Sequence, residues 1–145
     1  MRHLSVGLFA LSLLLLGCAA AGAQPSLTNP ADPAFARRAP DEYRVEVQTS
    51  KGAIVIEVHR AWAPLGADRF FNLVESGYYD DNRFFRVHAG QWAQFGINGT
   101  PAVAKAWRER TLPDDPKGQS NTRGTVTFAF AVPNGRATQV YIALK

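Results

Sequence analysis

Between Tyr43 and His59 apolar and polar positions alternate with a period of two. Val45 and Val47 interleave with Arg44, Glu46 and Gln48, and Ile54, Ile56 and Val58 repeat the pattern beyond Ser50-Lys51-Gly52. This period puts one strand face on a core, and a short Gly-containing turn joins the two runs, so the spacing predicts a β-hairpin. From Ala61 to Gly77 the period changes. Pro64 suits a first helical turn, Ala67, Phe70, Phe71 and Val74 share one helical face, and Gly77 is a natural stop. A turn-rich link, Tyr78 to Asn82, leads into a strand around Arg86. Ile97 to Arg123 is rich in Pro, Asp, Gly, Ser and Asn and reads as a long irregular connection, pinned to the body by Trp107 and Leu112. Thr125 to Ala131 and Thr138 to Leu144 are predicted as the last two strands, around a Pro133-Asn134-Gly135 turn. There are no internal repeats. Hairpin, helix, strands, long loop, strands: the order predicts a mainly β, antiparallel barrel capped at one end by a helix.

The N-terminus has a different pattern. Met1-Arg2-His3 is a short basic start, Leu4 to Leu16 is an apolar run, and Ala19 to Ala23 are small residues. The run is shorter than the roughly 20 residues a spanning helix needs, and residues 1–23 read as a secretory signal. Two processing points fit. Ala21-Gly22-Ala23 would release a soluble protein starting at Gln24, whereas Leu15-Leu16-Gly17-Cys18 resembles a bacterial lipobox that would lipidate Cys18. Cys18 is the chain's one cysteine and stands at the end of the apolar run, which favours the lipoprotein. Residues 24–42 carry Pro25, Pro30, Pro33 and Pro40 without apolar periodicity, and read as a flexible tether ahead of a domain over residues 43–145. The expected location is therefore the periplasm or a lipid-anchored membrane face.

At 145 residues the chain is one domain plus appendages, and 46% hydrophobic with 19% charged residues is a globular composition. The net charge of +4 raises the question of nucleic acid. Its arginines are scattered, though, and no basic run appears, so a solvated surface explains the charge and no nucleic-acid partner is expected. No histidine pair at ligand spacing, second cysteine or glycine-rich phosphate loop is present, so neither metal nor cofactor is expected. A monomer is expected.

Residues 84–94, FFRVHAGQWAQ, and Gly124 to Leu144, GTVTFAFAVPNGRATQVYIAL, carry a further signal. Together they resemble the active-site signature of cyclophilins, whose segments run roughly F-H-R-x-x-x-G-F-x-x-Q-G and G-x-[LV]-S-M-A-x-A-x-P-N…S-Q-F-F-I. The helical segment is similar too, with Ala63-Pro64…Phe70…Leu73 against the family's A-P-x-x-x-x-x-F-x-x-L. The resemblance covers most of residues 43–145. It implies a cyclophilin-like barrel that is incomplete, since a family domain has eight strands and two helices, while this stretch aligns with six strands and one helix. The last strands and the second helix would be absent, leaving an open strand edge.

The implied activity is peptidyl-prolyl cis-trans isomerisation. The Xaa-Pro bond turns slowly because amide resonance sets a barrier of roughly 18–20 kcal/mol. A donor aimed at the proline nitrogen stabilises the twisted state, where that nitrogen is basic, and not the planar one. The resemblance gives Arg86 this catalytic role. It puts Gln94 on the substrate backbone, Ala129 in a backbone contact, Gln139 beside them, and Trp92 and Tyr141 in the proline pocket. Departures are equally specific. Gln91 stands where the family has a pocket phenylalanine, Phe85 where it has histidine, and the remaining pocket tryptophan and histidine would lie beyond Lys145. Three readings follow: an envelope isomerase acting on proline-containing polypeptides, a non-catalytic peptide-binding module of the same fold, and an inactive fragment.

Overall fold

A computed structural model describes residues 24–145. The expected leader and the Cys18 lipidation site lie outside the described residues. Strand β1 (Glu42–Thr49) pairs antiparallel with β2 (Gly52–His59), in register from Glu42 opposite His59 to Thr49 opposite Gly52. Gly52 has φ of 117°, a conformation side chains disfavour, which is why the turn ends on glycine.

Helix α1 (Pro64–Glu75) follows, with Pro64 in its first turn. It stops as the sequence predicts. Gly77 has φ of 72°, Tyr78 N–H donates to the Leu73 carbonyl at 2.9 Å, and Gly77 N–H donates to Val74 at 3.0 Å. These two bonds form a Schellman cap and satisfy the last carbonyls. Its start is not capped locally: Ala63 has no side-chain acceptor, and Asp115 supplies one instead, to the N–H groups of Leu65 and Gly66.

The other strands, β3 (Arg86–His88), β4 (Trp92–Phe95), β5 (Val126–Phe128) and β6 (Val140–Ala143), form a second antiparallel sheet in the order β3-β4-β6-β5. Ile54, Ile56 and Val58 face Val126, Phe128, Val140 and Ile142 across an open cleft of about 1180 Å³, with Gly66, Ala67 and Phe70 of α1 along one side. Among the described residues the two sheets are not joined edge to edge, so the antiparallel strands outline a barrel without closing it.

Two expectations are corrected. The stretch from Ile97 to Arg123 is not wholly irregular, because it contains helix α2 (Pro101–Arg108), so the described residues hold two α-helices where one was expected. Val103 and Trp107, four residues apart, are its buried face. Nor do residues 24–41 hang free as a flexible tether. A 3-10 turn at Pro33–Ala36 buries Phe35, whose ring meets Trp107 edge-on at 4.9 Å. Trp107 Nε1 donates to the Leu27 carbonyl at 2.8 Å, Asn72 Nδ2 to that of Arg37 at 2.7 Å, and Ala39 N–H to Asp68 at 2.9 Å. Single apolar residues spaced without a period have no signature in sequence, yet each finds a place on α1 or α2. Trp107 and Leu112 do pin the long connection: Trp107 is 1% exposed, and Leu112 N–H donates to the Arg136 carbonyl at 2.8 Å.

Candidate active site

Strand register decides which predicted residues share a surface. Arg86 stands opposite Gln94 on β3 and β4, Gln94 opposite Tyr141 on β6, and Tyr141 opposite Thr127 on β5. Directly opposed residues project to the same face, and so do residues two apart on one strand. Trp92 therefore joins Gln94, and Gln139 joins Tyr141. Ala129 continues β5 on this face, its N–H donating to the Gln139 carbonyl at 2.9 Å. On the opposite face Phe95 and Val140 are buried, and Val126, Phe128, Val140 and Ile142 line the cleft. Apolar residues on one face and chemistry on the other follow from the strict alternation along β4 and β6.

Six of the seven candidates are thus brought together. Gln94, 7% exposed, donates through Nε2 to Oε1 of Gln139 at 2.8 Å. That bond leaves the Gln94 carbonyl and the Gln139 NH₂ to meet another peptide. The Arg86 guanidinium is exposed, with its Cζ 4.8 Å from the centre of the Trp92 ring. Trp92 in turn meets Tyr141 edge-on at 6.4 Å. Gln91 is the exception. It lies in the β3–β4 turn, not on a strand, and its amide oxygen is 3.4 Å from Lys145 Nζ.

Several supporting residues carry no signal in sequence. Asn121, from the long connection, donates to the Tyr141 hydroxyl at 3.1 Å and gives it the partner that a phenylalanine would not need. Behind the site, the buried Tyr78 hydroxyl donates to Thr138 Oγ1 at 3.1 Å, and Thr138 donates to the Gly96 carbonyl at 2.9 Å. The Tyr79 hydroxyl donates to the Thr138 carbonyl at 2.8 Å. Burial pushes both phenols above their ordinary range, so they remain protonated donors. Gly96 permits a close approach: a Cβ there would lie 2.5 Å from the Thr138 carbonyl oxygen. Only the position of Gly96, two residues beyond Gln94, hinted at this.

The sequence profile of the family described as cyclophilin type peptidyl-prolyl cis-trans isomerase/CLD matches residues 44–145. The chain belongs to this family. Curated relatives include the peptidyl-prolyl isomerase CWC27 of Yarrowia lipolytica, 34% identical over 70% of this chain and 30% of its own length. A peptidyl-prolyl cis-trans isomerase of Schizosaccharomyces pombe, ppi1, is 31% identical over 69% of this chain and 66% of its own length. One from Acinetobacter baylyi is 31% identical over 68% of this chain and 53% of its own length. The chain thus spans between 30% and 66% of these cyclophilin relatives. A crystal structure of a Cryptosporidium parvum cyclophilin-type isomerase superimposes with a TM-score of 0.60 at 20% identity, over 71% of this chain and 67% of that one. The cyclophilin fold is therefore shared, with six strands and two helices among the described residues.

Proposed function

We propose that this cyclophilin accelerates cis-trans rotation about Xaa-Pro bonds in proteins of the cell envelope or the secreted set. The observation that carries the proposal is the exposed guanidinium of Arg86, lying over Trp92 on the same sheet face as the Gln94–Gln139 pair. Among the described residues no carboxylate pairs with that guanidinium, so its donors stay available. In this reading the pyrrolidine ring seats against Trp92 and Tyr141. Gln94, Gln139 and the Ala129 carbonyl hold the flanking peptide, the Ala129 N–H being already engaged by Gln139. Arg86 donates to the proline nitrogen only as the bond twists and that nitrogen becomes basic, which lowers the barrier without tightening the ground state. Amide rotation breaks no covalent bond, so the scheme calls on no nucleophile.

Export is part of the same proposal. The basic start, apolar run and small residues of positions 1–23 support a secretory leader, and Leu15 to Cys18 support an anchor through lipidated Cys18. No helix among the described residues is long and apolar enough to cross a membrane. A second reading, a peptide-binding module without turnover, is favoured by a polar group where an apolar pocket is needed: the Tyr141 hydroxyl, bonded to Asn121.

The test is exchange between the cis and trans NMR signals of an Ala-Pro peptide in the presence of the full chain; that dipeptide also accompanied a crystal structure of the Cryptosporidium neighbour. Accelerated exchange that disappears in Arg86→Ala is expected. Shifted peptide signals without acceleration, from a protein whose own spectrum is well dispersed, would leave the binding module.

A further inference from the structure

We propose that Trp92 is a positioning residue: the face of its indole ring holds the Arg86 guanidinium in the orientation from which it donates to the substrate. The kinetic consequence rests on the isomerase reading above, whereas the contact itself does not.

Arg86 lies on β3, the edge strand of the four-stranded sheet, and is exposed. A free arginine there would spread over many rotamers, and ordering it costs side-chain entropy. Its guanidinium carbon lies 4.8 Å from the Trp92 ring centre, inside the range of about 6 Å for attraction between a cation and an aromatic face. The register explains the reach. Arg86 opposes Gln94 and Trp92 opposes His88, so the two side chains meet on the diagonal of one strand pair.

Trp92 is itself held from two sides. The His88 ring is 5.9 Å away on β3, and the Tyr141 ring 6.4 Å away on β6. Its indole therefore offers a fixed surface, half-buried between strands, to a side chain that has no other anchor among the described residues. The kind of anchor matters. A carboxylate would orient the guanidinium by occupying its N–H groups, the groups the substrate needs. Stacking on a ring uses the π face and leaves the N–H donors pointing outward in the plane.

Two readouts on the full chain test this. The Arg86 Nε–Hε NMR signal, assigned by its disappearance in Arg86→Lys, is expected to be shifted upfield by the indole ring current. It should move to the position of a free arginine in Trp92→Met, which keeps apolar volume without an aromatic face, and stay shifted in Trp92→Phe. In peptide isomerisation, Trp92→Met is expected to lower kcat about three- to tenfold with KM changed less than twofold, and Trp92→Phe to restore most of the loss. An Arg86 signal that does not move in Trp92→Met would overturn the clamp. So would a raised KM at unchanged kcat, which would make Trp92 a pocket wall alone. If the unaltered chain shows no isomerisation, the isomerase reading fails, and the Arg86 signal still decides the contact. Trp92→Leu, which also lacks an aromatic face, serves where Trp92→Met does not fold.

Discussion

Asp115 and Arg136 form a buried pair, the carboxylate Oδ2 lying 2.8 Å from Nη1 with side chains 6% and 8% exposed. The same carboxylate accepts the N–H of Leu65 at 3.0 Å and of Gly66 at 2.9 Å, completing the first turn of α1. Arg136 also donates to the Pro113 carbonyl, and Asp114 meets its Nε side at 3.5 Å. One cluster thus joins the helix start, the long connection and the segment leading into β6. Charges this deep are stable together and costly apart.

Removing one partner should accordingly be severe. Asp115→Ala leaves the Arg136 charge buried and two helix N–H groups without acceptors. Destabilisation of about 3–5 kcal/mol is expected, read from the midpoint of urea unfolding. A loss below about 1 kcal/mol would mean that water replaces the carboxylate.

Acid should weaken the fold through the same group. Burial alone would push the Asp115 carboxyl up, but the bonds from Arg136, Leu65 and Gly66 together hold it below its ordinary value. At Asp68 the hydrogen bond from Arg60 leads a similar lowering. A carboxyl with a folded pKa below its unfolded value of roughly 3.9 contributes fully above that value. The contribution is lost as pH falls through the folded pKa. Stability against pH should therefore drop below about pH 4, with a shallower fall in Asp115→Asn.

Gly96→Ala tests the backing of the candidate-site face. Gly96 has φ of 107°, and the added methyl would approach the Thr138 carbonyl oxygen at 2.5 Å. Relieving the close approach displaces Thr138 and Gln139, which lead directly into β6 and Tyr141. At least about 2 kcal/mol of destabilisation is expected, together with displaced Gln94 and Gln139 side-chain amide signals in the NMR spectrum.

The Gln94–Gln139 bond should register as coupling. In a double-mutant cycle with alanine at each position, peptide affinity should show an interaction energy of about 0.5–1.5 kcal/mol. Strict additivity would mean that the two amides meet the peptide independently.

The N-terminal segment offers a further check. Phe35 is buried against Trp107 at 4.9 Å. Phe35→Ala should destabilise by about 3 kcal/mol and open residues 24–41 to proteolysis. Unchanged stability would return this stretch to the status of a free tether.

How much of this was legible in sequence varies residue by residue. The Schellman stop at Gly77 was readable because a helix end depends on its own neighbours. Arg86, Trp92, Gln94, Gln139 and Tyr141 were readable as a set because family spacing carries strand register with it. Helix α2 is signalled by Thr100-Pro101 and the Val103–Trp107 spacing, but eight residues amid Pro, Asp and Gly read as irregular. Gln91 was placed by spacing among the pocket residues, but it sits in the turn that lets β3 reverse into β4, beside Lys145.

The hairpin, helix α1, the antiparallel strands and the family to which they belong are all legible in the order of residues. Periodicity, turn chemistry and motif spacing are local, and each is written in consecutive residues. That Asp115 caps α1, that Phe35 docks on Trp107, and that the Arg86 guanidinium rests on Trp92 emerge only from the packed chain. The first two join residues 49 or more and 72 positions apart, and such distant pairings leave no periodic trace in the chain. The third spans six positions, but side-chain direction and strand register set it, and both exist only once the sheet has formed.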